Sequence, residues 1–123
     1  MKKLLILEDN KETRLLYEIM LKEFELRITP SAEEALSIVE KEGADAAILD
    51  VRTSDKTMDG ITLAHLIESR GMNIPIIFIT AYDKNELSPC NRMRLKYIKN
   101  LKQYNVKPVT PKELRKKIAA ITA

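Results

Sequence analysis

Asp45-Ala46-Ala47-Ile48-Leu49-Asp50 sets four apolar residues between two carboxylates. An unbroken apolar run of this length suits a strand buried on both faces, as in a parallel sheet covered by helices on either side. Where such a run stops, the chain leaves the sheet. Asp50 is therefore either an ordinary loop residue or a reactive group held at the rim of a sheet, and the rest of the chain has to decide between them.

Four more runs flank the first one. Lys3–Leu7 (KLLIL) and Ile74–Ile79 (IPIIFI) are nearly continuous apolar segments, while Glu25–Thr29 (ELRIT) and Gln103–Val106 (QYNV) are more polar and belong nearer the edges. Segments of helical period separate them. Leu15, Leu16, Ile19 and Met20, with Tyr17 or Phe24, form the expected inner stripe of a first helix. Ala35, Leu36, Ile38 and Val39 mark a second, opened by Ser31 and Glu34 as a capping box and closed by Gly43. A third runs from Gly60 to about Arg70, with Ile61, Leu63, Ala64 and Ile67 inward. Ser88-Pro89 starts a fourth, in which Cys90, Met93, Tyr97 and Leu101 repeat at helical spacing after a long loop over 81–87. Thr110-Pro111-Lys112-Glu113 caps the last, with Val109 and Leu114 as a hydrophobic staple. The alternation predicts an α/β fold, a doubly wound five-stranded parallel sheet with helices on both faces.

The 123 residues, 45% of them hydrophobic and 32% charged, suffice for one core, and a single domain over residues 1–123 is expected. No apolar run reaches the roughly 18 residues of a membrane span, so the expected location is cytoplasmic. One cysteine, Cys90, excludes an internal disulfide and a thiolate metal cluster. The net charge of +3 conceals a division. Residues 1–82 hold 10 Lys and Arg against 15 Asp and Glu, a net of −5, whereas residues 83–123 hold 11 against 3, a net of +8. Such a division marks either a surface for an acidic partner or two solvated faces.

In an open parallel α/β sheet ligands sit beyond the carboxyl ends of the strands. Glu8 and Asp9 follow the first run, Asp50 the third, Thr80 the fourth and Lys107 the fifth. Singly each has an ordinary structural explanation. Together, three carboxylates at one rim repel each other unless a cation sits among them. Hard oxygen donors without a nearby histidine or thiolate favour Mg²⁺ or Mn²⁺.

The ordered set of Glu8-Asp9, Asp50, Met58-Asp59-Gly60, Thr80-Ala81, and Tyr104 before Lys107-Pro108 resembles the response-regulator receiver domain of two-component signalling, of the chemotaxis-regulator type. The resemblance spans essentially the whole chain. It implies the flavodoxin-like strand order 2-1-3-4-5, and a phosphoryl group accepted on Asp50 from a sensor histidine kinase or phosphotransfer protein. It implies Mg²⁺ held by Asp9, Asp50 and the backbone carbonyl of Arg52, with Glu8 acting through water. Lys107 and Thr80 would handle the phosphoryl oxygens, and Tyr104 would follow Thr80 as a switch. The chain departs from the family pattern in two places: the stretch from Asp50 to Gly60 is two residues longer than usual and lacks its common proline, and the interval from Thr80 to Lys107 is also stretched.

Two rivals remain at this level. A haloacid-dehalogenase-type phosphatase shares the strand-end aspartate, Mg²⁺, threonine and lysine, but it needs a general acid two residues after the nucleophile, where this chain has Arg52. A receiver-like scaffold that works without phosphorylation is the other. If the family fold holds, the fourth helix, fifth strand and fifth helix carry Arg92, Arg94, Lys96, Lys99, Lys102, Lys112, Arg115, Lys116 and Lys117 on one basic face. That face suits an acidic protein target, and nucleic acid is not expected because no stacking aromatics accompany the charge.

Overall fold

The computed structural model describes residues 1–122. Five strands, β1 (Lys3–Leu7), β2 (Glu25–Thr29), β3 (Ala46–Leu49), β4 (Ile76–Thr80) and β5 (Leu101–Val106), form one sheet in the order β2-β1-β3-β4-β5. All pairings are parallel. Five α-helices connect or follow them: α1 (Lys11–Met20), α2 (Ala32–Glu42), α3 (Gly60–Ser69), α4 (Pro89–Lys96) and α5 (Pro111–Thr122).

Strand alternation explains why β1 from Leu4 onward and all of β3 are apolar. Leu5, Leu7, Ala47 and Leu49 face the core shared with α2 and α3, while Leu4, Ile6, Ala46 and Ile48 face the core shared with α1 and α5. The edge strands β2 and β5 are mostly half-buried, as their polar sequences predict.

Side-chain caps form on all five α-helices. Asn10, Ser31, Asp59 and Ser88 each accept the backbone N–H three residues on, and Thr110 does the same for Glu113 on α5. Gly43, at φ 71°, ends α2 in a conformation that L side chains avoid.

Three expectations need correction. The inner face of α1 is built by Tyr17, with Leu21 at its end, and both are buried; Leu15, Leu16 and Ile19 are 50%, 52% and 62% exposed. Helix α1 thus has two apolar stripes, and the larger one faces solvent. Next, α4 is shorter than its periodic pattern: Tyr97 caps it, Leu101 already belongs to β5, and of the four residues in that pattern Cys90, Met93 and Tyr97 are exposed. Finally, the long loop expected over 81–87 holds a 3₁₀ turn at Lys84–Glu86, around which Asp83 and Glu86 form a capping box.

Candidate functional site

Strands β1 and β3 are adjacent and in register from Leu4 and Ala46 to Leu7 and Leu49, so the residues that follow them meet at one end of the sheet. Glu8 is held there by its N–H, which donates to the Thr29 carbonyl, and Asp50 by its N–H, which donates to the Leu7 carbonyl. Both acids are almost fully buried, at 1% and 5% exposure. Asp9 is half-buried beside them, and one carboxylate oxygen from each of the three lies within 4.8 Å of the others.

Lys107 enters from the end of β5, anchored by its N–H to the Thr80 carbonyl at 2.8 Å. Its Nζ forks, donating to Glu8 Oε1 at 2.6 Å and to Asp50 Oδ2 at 2.9 Å. Backbone N–H groups complete the shell, with Asn10 donating to Glu8 Oε2 and Arg52 to Asp50 Oδ1. Among the described residues no buried side-chain polar atom is left without a partner.

Burial pushes the Glu8 carboxyl above its ordinary value of 4.5, with the hydrogen bonds from Lys107 and the Asn10 N–H pulling the other way. Burial also acts to lower Lys107. The hydrogen bonds and charges of Glu8 and Asp50 outweigh it and leave the ammonium above its ordinary 10.5, so Lys107 is cationic at neutral pH.

The acids line a hollow of about 470 Å³ together with Asn10, Thr13, Arg52, Ala81, Tyr82 and Lys107. A wider cleft of about 630 Å³ lies beside it, walled by the 51–59 loop, α3 and the start of α4. The clustered acids belong to the smaller hollow. Its donor set consists of oxygen ligands without thiolate or imidazole, which fits Mg²⁺ or Mn²⁺.

Thr80 is fully buried at the end of β4 and makes no hydrogen bond to the acids; its Oγ1 accepts the Tyr82 N–H at 3.5 Å. The Tyr104 hydroxyl donates to the Tyr82 carbonyl at 2.6 Å, so the β4–α4 segment joins Thr80 to Tyr104. The Arg52 guanidinium lies over the Tyr82 ring, 5.8 Å from its centroid.

Two features escape sequence reading. Arg14 on α1 donates to the carbonyls of Glu8 and Asp9 at 3.1 and 2.9 Å, bracing the turn that presents both acids. No motif marks it, since an arginine in the first turns of a helix is ordinarily solvated. The long β3–α3 loop is braced against α2: the Ser54 N–H donates to the Pro30 carbonyl, and Asp55 Oδ2 accepts the Glu33 N–H at 2.9 Å, a second cap for α2. Gly60 then packs directly on the rim, where a Cβ would lie 1.8 Å from the Asp50 carbonyl oxygen.

The basic face is narrower than its residue roll suggests. Arg94 turns toward α3, Lys117 donates to Gln103, and Arg115 pairs with Glu23. Lys96, Lys99, Lys102, Lys112 and Lys116 are exposed.

Residues 4–119 match the response regulator receiver domain family. An uncharacterized 14.6 kDa protein of Leptolyngbya boryana is 31% identical over 90% of this chain and 82% of its own length. The alkaline phosphatase synthesis transcriptional regulatory protein PhoP of Bacillus subtilis is 28% identical over 98% of this chain, which spans only 48% of PhoP. Among solved structures, a CheY-like response regulator receiver domain protein of Methanospirillum hungatei superposes with a TM-score of 0.84 at 25% identity, covering 98% of this chain and 92% of the other. No helix among the described residues is long and apolar enough to cross a membrane.

Proposed function

Because the chain belongs to the response regulator receiver domain family, we propose that residues 1–123 act as one receiver domain that accepts a phosphoryl group on Asp50 from a histidine kinase or phosphotransfer protein. A carboxylate oxygen of Asp50 forms a bond to phosphorus as the donor's P–N bond breaks, and the electron pair leaves with the donor imidazole. Asp9, Asp50 and the Arg52 carbonyl would hold Mg²⁺ or Mn²⁺ directly, with Glu8 acting through water; when bound, the ion offsets charge on the transferred oxygens.

The protein's own part is positioning. Asp50 is held by the β1 backbone, and Lys107 carries a fixed positive charge to the side of Asp50 facing Glu8. Once the acyl phosphate exists, Thr80 can turn its hydroxyl to a phosphoryl oxygen. That movement draws on Tyr82, and through the Tyr82 carbonyl on Tyr104. The cycle catalyses only the domain's own phosphorylation and dephosphorylation. The donor protein would cover the rim beside α1, where Leu15, Leu16 and Ile19 are exposed and Leu16 lines a mainly apolar hollow of about 200 Å³ together with Met20, Pro108 and Val109 among others. The exposed lysines of α4, β5 and α5 face an acidic protein target.

The fork of Lys107 between Glu8 and Asp50, with Asp9 alongside, carries this reading. Incubation with phosphoramidate or acetyl phosphate and Mg²⁺ should add one phosphoryl mass, and Asp50→Asn should abolish it. Undiminished labelling of that variant would remove Asp50 from the role. A chain that never labels is the phosphorylation-independent scaffold, and one that turns over a generic phosphate ester is the phosphatase.

A further inference from the structure

Helix α4 is thinly anchored. Of its eight residues only Leu95 is buried, as only Tyr17 is in α1, and Met93 and the C-cap residue Tyr97 point outward. Buried Ile98 just after it and a bond from Arg92 to the Asn85 carbonyl add to this, and its polar attachment to the body of the domain comes from one ridge of α3 and its cap. Asp59, Thr62, His65 and Glu68 recur every third residue, so that each neighbours the next along a row slanted across the helix. Each meets α4 or the turn after it. Arg94 donates through Nη2 to Thr62 Oγ1 at 2.5 Å, and its Nη1 lies 3.9 Å from Asp59 Oδ2. His65 donates through Nε2 to the Arg94 carbonyl at 2.8 Å. Glu68 takes the Lys99 N–H on one oxygen at 3.0 Å and the Asn100 N–H on the other at 2.6 Å.

Every rung of this seam is polar, and all four ridge side chains are on half-buried residues. Water can replace each bond at small net cost, which is not true of an apolar contact. The seam begins next to the phosphoacceptor. Asp59 caps α3, Gly60 donates its N–H to the Val51 carbonyl at 2.9 Å, and Gly60 leaves no space against the Asp50 carbonyl. A shift of the Asp50 backbone therefore moves the first rungs.

We propose that the Asp59–Thr62–His65–Glu68 ridge is a releasable clasp for α4, and that the state of Asp50 reaches α4 through it as well as through Thr80 and Tyr104. The clasp stands on the contacts between α3 and α4 alone; the coupling rests on the phosphoacceptor reading of Asp50.

Amide hydrogen exchange of the whole chain tests both. Arg94→Met and Glu68→Gln should each speed exchange over residues 89–100 by roughly fivefold, the worth of one or two net hydrogen bonds, and leave β1 and β3 unchanged. Exchange over 89–100 that stays at the wild-type rate in both variants, or that rises equally throughout the chain, overturns the clasp. Beryllofluoride with Mg²⁺, as a mimic of the acyl phosphate, should speed the same segment in the wild type and add little to Arg94→Met. If it perturbs Tyr104 without touching exchange over 89–100, the coupling is overturned. If it perturbs nothing while the variants behave as expected, the clasp stands and the phosphoacceptor reading falls.

Discussion

The ends of β1 and β3 and the segment from β4 to β5 manage polar groups in opposite ways. At the first, two carboxylates with almost no solvent exposure are tied by their own backbone to neighbouring strands and share one lysine. At the second, a capping box, a short helix and several half-exposed hydrogen bonds hold 81–100 in place. The contrast separates two requirements. On the proposed function, a group that reacts has to sit on a frame that does not yield, whereas a segment that would report the reaction has to be held by contacts that water can take over.

The sharpest way to break the rigid half is Gly60→Ala. Its Cβ would overlap backbone, the Asp50 carbonyl, which cannot rotate away as a side chain can. The expected loss is about 3 kcal/mol, the upper part of the range for overpacking, together with impaired labelling at Asp50. Urea unfolding and phosphoramidate labelling check it. A variant with unchanged midpoint and labelling would mean that the rim gives way easily.

Lys107→Met should come next. It leaves Glu8 and Asp50 without their cation, and breaking a buried pair costs roughly 3–5 kcal/mol. The lysine side chain is 26% exposed, and solvent screening reduces the expected cost to about 2 kcal/mol. Mg²⁺ should restore part of it, and at tenfold above its dissociation constant linkage contributes about 1.4 kcal/mol to any form that binds it. Asp9→Asn should weaken that response. Melting curves with and without Mg²⁺ decide, and indifference of the wild type to the ion would count against the acidic group as a metal site.

Asp55→Ala probes how the lengthened loop is tied down. The carboxylate caps α2 from a distant loop, and its loss should cost about 1 kcal/mol, the usual worth of an N-cap. If the two added residues serve to brace the loop, the rate of labelling at Asp50 should fall too. Equal labelling with reduced stability would confine Asp55 to α2.

Much of the rigid half was legible because its signals are local. A strand buried on both faces announces itself by composition, and the residue that ends it follows directly, so Glu8, Asp9, Asp50, Thr80 and Lys107 could be placed at one rim from the order of the runs. The caps at Asn10, Ser31 and Thr110 are likewise written within four residues. The yielding half was harder because its signals are long-range. Nothing near Arg94 in sequence shows that its partner is Thr62, 32 positions away. Helix α1 failed for a different reason. Two apolar stripes share ten residues, and periodicity reports that a stripe exists without saying which one meets the sheet.

The smallest expected effect concerns Tyr104, which stands between the two halves. Burial, and then the negative charges of Asp50, Asp83 and Glu86, push its phenol from an ordinary 10.0 up to about 12. The hydroxyl therefore keeps its proton and can donate to the Tyr82 carbonyl throughout the physiological range. The raised value means that the folded state holds this proton more tightly than the unfolded chain. Its contribution to stability is complete below pH 10 and is lost as pH rises through 12. Tyr104→Phe should thus flatten part of the alkaline decline in stability between those values, and it should remove one late phenol ionisation from the ultraviolet titration. Because the ring is partly exposed, the change in stability will be slight, and the titration is the better readout. A missing ionisation centred near pH 10 would show that neither burial nor Asp50 and the acids of the 81–88 segment act on the ring. Tyr104 would then belong wholly to the solvated edge of the sheet, and the line from Thr80 through Tyr82 would end before reaching it.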